Sequence, residues 1–185
     1  KVFDREALKR QVEYIVENYH QPALIEEFVA GIEVTVPILG NNPPQAMPVI
    51  QYSINGDGQL GDRFYTYEMV AKAHNRDYIC PAPISPALFK KVQEIALRAY
   101  RCVGCRDFAR VDFRVDAAGN PYVLEINPLP NLSKGDSFNL FPKVIGSDYD
   151  EVINRILDYG LERYGLLVQK KARSAGKECQ TSSVS

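Results

Sequence analysis

No sign of charge dominates this 185-residue chain: 22 Lys and Arg stand against 23 Asp and Glu, a formal net charge of −1. That leaves no global field to draw in nucleic acid or an anionic membrane. The basic residues are spread among acidic ones, apart from Lys170-Lys171. Neither nucleic acid nor membrane is therefore expected as a partner. No apolar run approaches the roughly 20 residues that a helix needs to cross a bilayer. The opening KVFDREALKR has no apolar signal-peptide core, so a cytoplasmic location is the expectation. Cysteine is sparse. Cys80, Cys102, Cys105 and Cys179 form no dense framework and read as reduced thiols. Cys102 and Cys105 make a CxxC, but structural zinc takes four ligands and no second pair is present. The pair reads as part of a helix end. There is no internal repeat. What remains is ordinary: 45% hydrophobic and 24% charged residues, enough for one substantial domain with its own core.

Asp4 can cap a first helix over residues 5–18, with Leu8, Val12, Ile15 and Val16 on one face. Two apolar runs, 23–29 and 32–39, read as strands joined by a tight turn at Ala30-Gly31. A third strand is expected over 47–54, and the run NGDGQLGD at 55–62 must be a loop. Residues 63–85 are polar and irregular, as functional loops often are. Ser85-Pro86 then starts a helix with a cap followed by proline at the first position, and Gly104 stops it. Strands are expected over 106–116 and 121–127, with the long loop 128–147 after them. A last helix begins near Asp148, with Glu151 placed as in a capping box. Residues 1–168 form the expected domain. The tail 169–185 is expected to be disordered, because 170–185 is nearly devoid of apolar residues. The class is α+β, a mainly antiparallel sheet with helices packed on it.

The chemistry-bearing segment is RDFARVDFRVDAAGNPYVLEINPLPNLS, residues 106–133. Alternation along a strand puts Arg110, Asp112 and Arg114 on one face. In the next strand it groups Val123, Glu125 and Asn127, opposite to Tyr122, Leu124 and Ile126. With 117–120 as the turn, Asp116 faces Pro121, Asp112 lies across from Glu125, and Arg110 lies across from Asn127. Like charges directly opposed destabilise a sheet. Two carboxylates and an amide oxygen are hard ligands suited to Mg²⁺, and a cation between them would account for the pair. The alternatives are that the two carboxylates are separately solvated, or that Arg110 and Arg114 neutralise them.

The pattern ARVDF…G…YVLEINPLPNLS resembles the end of the ATP-grasp domain in D-alanine–D-alanine ligases. LIEEFVAGIEVTVPIL, residues 24–39, resembles the same family's hinge strand, so the likeness runs over roughly residues 5–165. The resemblance implies that Asp112, Glu125 and Asn127 hold Mg²⁺ (or Mn²⁺) against the phosphates of ATP, with Arg110 facing the γ-phosphate. It further implies that Glu26, Glu27, Phe28 and Val29 surround the adenine, that Glu33 accepts from the ribose hydroxyls, and that Leu124 packs under the purine. Plain core packing is the alternative for Phe28, Val29 and Leu124. Ser133 or Ser137, with backbone N–H groups of the 128–147 loop, would meet the second amino acid. The implied activity is ATP-dependent amide formation through an acyl phosphate, from small amino-acid or peptide substrates. A non-catalytic nucleotide-binding or interaction module is the alternative.

Two departures stand out. The family's phosphate-gripping lysines and glycine-rich loop lie upstream of the hinge strand, so part of the ATP-grasp fold is expected from upstream domains. The family's mobile loop carries a basic residue soon after Tyr-Glu, whereas here Tyr67-Glu68 is followed by Met69-Val70-Ala71-Lys72. Lys72 becomes a displaced candidate for a phosphate contact. Homodimers are common among such ligases, and one is possible here.

Overall fold

The computed structural model describes residues 1–64 and 76–166. Tyr67-Glu68, Lys72 and the tail 169–185 lie outside the described residues. Among the described residues six strands form one sheet: β1 (Ile32–Leu39), β2 (Gln45–Ala46), β3 (Ile50–Ile54), β4 (Arg76–Ile79), β5 (Phe108–Val115) and β6 (Pro121–Asn127). The order is β4-β3-β1-β5-β6, β2 pairs with the end of β1, and every pairing is antiparallel. Among the described residues the helices are α1 (Arg5–Tyr19), α2 (Pro86–Cys102) and α3 (Tyr149–Arg163), with short 3₁₀ turns at Ser137–Asn139 and Pro142–Ile145. The α+β expectation holds.

Local signals start the helices as the sequence suggests. The carboxylate of Asp4 accepts the Ala7 N–H at 2.7 Å, and the hydroxyl of Ser85 accepts that of Leu88 at 3.2 Å. Asp148 caps α3 through the Glu151 N–H at 2.8 Å. The capping box is not completed in its usual form, because the Glu151 carboxylate takes the Ser147 hydroxyl at 2.7 Å.

The strand expected over 23–29 does not form. Residues 22–30 are irregular, with Leu24 and Ile25 exposed. Ala30-Gly31 is no hairpin turn; Gly31, at φ 150°, leads straight into β1 and donates its N–H to the Gly61 carbonyl at 3.0 Å. With no chain folded back beside it, the 22–30 segment has no ladder partner, and propensity alone does not make a strand. The strand expected over 47–54 is split. Met47 still donates to the Pro37 carbonyl at 2.8 Å, but Pro48 has no N–H to continue the ladder, and pairing resumes at Ile50. Strand β4 lies inside the stretch read as irregular.

One face of the sheet buries Val34, Val36 and Ile38 of β1 with Ala109, Val111, Phe113 and Val115 of β5. Helix α2 covers that face with Val92, Ala96 and Tyr100. Fully burying a side chain of this kind contributes about 1.5–3 kcal/mol. A second cluster, Leu39, Met47, Phe138, Phe141 and Val152, pins the 3₁₀ turns and α3 to the end of the sheet. Helix α1 buries no residue completely. Its apolar stripe overlooks a cavity on the sheet's other face.

Asp107 links α3 to the start of β5. Its carboxylate receives two nitrogens of Arg163, the closer at 2.7 Å, and the Asn41 amide at 2.8 Å. The Arg163 hydrogen bond, opposed in part by burial, holds its pKa below the usual aspartate value. The stabilisation is therefore present above the unfolded aspartate range and is lost as pH falls through the depressed folded value. Asp107→Asn should lower the urea midpoint at neutral pH while leaving it unchanged in strong acid. An equal loss at both pH values would show that shape, not charge, matters there.

Candidate active site

The face opposite α2 carries the polar residues. The β5–β6 register sets Arg110 opposite Asn127 and Asp112 opposite Glu125, the pairing expected from the sequence. The route to it differs. The turn occupies five residues, not four, so that Val115 and not Asp116 faces Pro121, and the register shifts by one residue between Asp112 and Phe113. The bulge absorbs the shift at Leu124. Strict alternation would set Leu124 on the face away from Glu125. Instead it lines the same cavity as Glu33 and Arg114, while Val123 moves opposite Phe113. Bulges commonly re-aim a side chain in this way.

Arg110 lies folded against Asp112. Its Nε stands 3.0 Å and its Nη2 2.9 Å from the two carboxylate oxygens, a bidentate fork. Nη1 is 3.4 Å from Asp136, and Nη2 is 3.9 Å from Glu125. Burial opposes the charge on Arg110, but Asp112, Tyr52 and Asp136 outweigh it and raise its pKa. The Thr35 hydroxyl also donates to Asp112. Neutralisation of Asp112 by arginine, one of the alternatives open in the sequence, is thus the arrangement found, with Arg110 as the partner. Glu125 remains mostly exposed. Burial first and the neighbouring Asp112 charge next push its pKa up. Asn127 bonds the Leu129 N–H at 3.1 Å through its side-chain oxygen.

Glu26, Glu27, Phe28, Val29, Glu33 and Leu124 all line one cavity of about 570 Å³. Leu8, Val12 and Ile15 of α1 form part of its wall. Phe28 packs against Phe64 with the rings tilted at 59° and their centroids 5.8 Å apart, and lies under the Arg114 guanidinium at 5.2 Å. Glu33 is held by Arg114 at 3.2 Å, and burial raises its pKa against the pull of that arginine.

Several participants were missed in the sequence. Thr35 follows Glu33 by two residues on β1 and shares its face, which alternation could have shown. Extending the β1–β3 register by one pair sets Tyr52 across from Glu33, and its pKa is raised by burial and then by Asp112. Asp136, in the loop after β6, has no role assigned from the sequence, and Arg114 enters there only as a possible counter-charge. Of the two serines, Ser133 is exposed. Ser137, next to Asp136, is buried, and its hydroxyl finds no hydrogen-bond partner among the described residues. Among the described residues no cluster of three or more His, Cys, Asp or Glu is set to hold a metal. The candidate metal set is two carboxylates and an amide. No described helix is long and apolar enough to cross a membrane.

An antiparallel sheet with helices on it, bearing an Arg-x-Asp strand beside a Glu-x-Asn strand, is the C-terminal part of an ATP-grasp fold. The chain belongs to the D-ala D-ala ligase C-terminus family, whose model matches residues 1–158. A D-alanine–D-alanine ligase of Carboxydothermus hydrogenoformans is 36% identical over 162 residues, covering 87% of this chain and 50% of that protein. An uncharacterised Sinorhizobium fredii protein, y4sG, is 36% identical over 158 residues, or 85% of this chain and 46% of that one. The crystal structure of the Bacillus anthracis D-alanine–D-alanine ligase complexed with ATP superposes with a TM-score of 0.69 at 21% identity, covering 89% of this chain and 49% of that one. The chain thus spans about half the length of these relatives.

Proposed function

We propose that this chain is the nucleotide- and metal-binding part of an ATP-dependent carboxylate–amine ligase that works through an acyl phosphate, in the manner of D-alanine–D-alanine ligases. The observation that carries this reading is the adjacency, on one sheet face, of the Glu26–Leu124 cavity and the Arg110–Asp112–Glu125 patch. Asp112 and Glu125 face each other across the ladder with Asn127 beside them, and two carboxylates with an amide oxygen are hard ligands that suit a divalent cation sharing the patch with Arg110. Asp112, Glu125 and Asn127 would hold Mg²⁺, with Mn²⁺ as a substitute, and the ion would supply neutralisation of phosphate oxygens. Glu26 to Val29 and Leu124 enclose the adenine, while Glu33 accepts from the ribose. Arg110, already fixed between carboxylates, presents a guanidinium where phosphoryl charge develops. The buried Ser137 hydroxyl, more than Ser133, suits the carboxylate of the amino acid that supplies the amine. The partners are then amino-acid or peptide substrates and an upstream lobe that grips the phosphates from the other side.

A second reading, a nucleotide-binding module without ligase activity, draws on the saturation of Asp112 by Arg110 and Thr35. Titration of the 185-residue chain with ATP, with and without Mg²⁺, tests the shared part of both readings. Binding should require Mg²⁺ and weaken in Glu125→Gln. Metal-independent binding, or binding untouched by that substitution, would remove the metal site from the scheme. Phosphate release with D-amino acids, assayed in a ligase containing this domain, then separates the two readings.

A further inference from the structure

Arg114 is buried, yet among the described residues only one of its hydrogen-bond partners carries charge. Its Nε donates to the Val29 carbonyl at 3.0 Å, and Nη1 meets Glu33 at 3.2 Å. Nη2 donates to the carbonyls of Gly61 at 2.8 Å and Arg63 at 3.0 Å. These acceptors come from three stretches: the end of the irregular 22–30 segment, the start of β1, and the loop after Asn55. Neither the 22–30 segment nor residues 61–63 belong to a strand, and among the described residues the backbone pairing of Gly61 is an isolated bridge to Gly31. Such backbone has no ladder to hold it. A planar guanidinium with five N–H donors can hold several acceptors at fixed angles, which the single point charge of lysine cannot.

We propose that Arg114 is a positioning residue for the nucleoside end of the site: it fastens the hinge segment, the 61–63 loop and Glu33 into one frame. The inference rests on the nucleotide reading above. It goes beyond that reading by dividing the site into two ends with different supports. The triphosphate end is built from Arg110, Asp112, Glu125 and Asn127, which the β5–β6 ladder already holds in register. The nucleoside end has Phe28 and Val29 on a segment without ladder bonds, and Arg114 supplies its tie to β5. The fastening also leaves Glu33 able to work. Arg114 reaches Oε2 alone, and among the described residues Oε1 accepts no hydrogen bond, so it is available to a ribose hydroxyl. The guanidinium 5.2 Å from the Phe28 ring fixes that ring as well.

The test compares two probes on the 185-residue chain by NMR titration: Mg²⁺ with ATP, and Mg²⁺ with inorganic tripolyphosphate. Arg114→Met keeps the bulk and removes the donors, while Arg114→Lys keeps the charge and loses the fork. In Arg114→Met, ATP affinity should fall about tenfold or more while tripolyphosphate affinity changes by less than about twofold. Arg114→Lys should resemble the methionine variant more than the parent. Hydrogen exchange should quicken at amides near 28–31 and 61–63 and stay unchanged in β1 and β5. Equal loss of both probes, unchanged ATP affinity, full rescue by lysine, or unchanged exchange at those amides would each overturn the proposal. If the parent chain binds neither probe, nucleotide binding by this chain on its own fails and the nucleoside role falls with it, while the exchange data decide whether the fastening exists.

Discussion

Arg110→Ala is expected to destabilise the chain by about 3–5 kcal/mol, the usual cost of removing one member of a buried charge pair. The side chain is 12% exposed, and the Asp112 carboxylate it neutralises is 9% exposed. Without the guanidinium, Asp112 faces Glu125 across the ladder and Asp136 across the loop, with Thr35 as its remaining side-chain donor among the described residues. Divalent cations supply a second way to see this. In the parent, Mg²⁺ competes with a positive charge already seated against Asp112, and its stabilising effect should be small. In Arg110→Ala the same concentration of Mg²⁺ should raise the melting temperature by a clearly larger amount, since the ion replaces the missing charge. In a complete ligase carrying this domain, turnover should fall on the order of a hundredfold or more, as for other lost stabilisers of developing charge. Thermal melts with and without Mg²⁺ separate these effects. An Arg110→Ala chain as stable as the parent, with no added response to Mg²⁺, would show that the fork to Asp112 matters little.

The pairing of Asp112 with Glu125 was legible in the sequence, but by two departures that cancel. Period-two alternation and the assumption of a four-residue turn gave the right partners. The turn is one residue longer, and the bulge at Leu124 restores the register. Neither feature has a strong local signal, because Ala117-Ala118-Gly119-Asn120 can close a turn of either length. The same bulge brings Leu124 onto the site face, which alternation alone forbids. Helix limits were legible because caps are local chemistry: Asp4, Ser85 and Asp148 each accept an N–H within a turn of their own position.

What was not legible depends on distant partners. The β-branched and aromatic content of 23–29 suggested a strand, and whether a strand forms is decided by a neighbour with free ladder groups. Arg114 looked like one more charge on a polar face. Its role appears only once Val29, Gly61 and Arg63 are brought to it from positions 85, 53 and 51 residues away. Asp136 joins Arg110 only because Phe138 and Phe141 anchor its loop in the second apolar cluster.

Gly31→Ala should be the most damaging single methyl in the described chain, and the reason is contact as much as torsion. At φ 150° the backbone lies in a region that side chains seldom enter, at a cost of about 1–3 kcal/mol. A Cβ there would also stand 1.9 Å from the Val115 carbonyl oxygen, 2.9 Å from its carbon and 3.1 Å from the Asp116 Cα. All three are backbone atoms, so no side chain can rotate aside. Relief requires the start of β1 to part from the end of β5, next to the pairs that carry Glu33 and Arg114. The Gly31–Gly61 bond would go with it, and Val29 would move away from Arg114. Gly119→Ala provides the control. Gly119 also has a positive φ, 79°, but an added Cβ meets nothing within 4 Å, so only the torsional cost of about 1–2 kcal/mol applies. The expected result is that the Gly31→Ala chain unfolds at much lower urea than the Gly119→Ala chain and, where still folded, has lost ATP affinity. Equal midpoints for the two variants would mean that β1 and β5 can separate at position 31 without penalty, and that the hinge does not depend on their close approach.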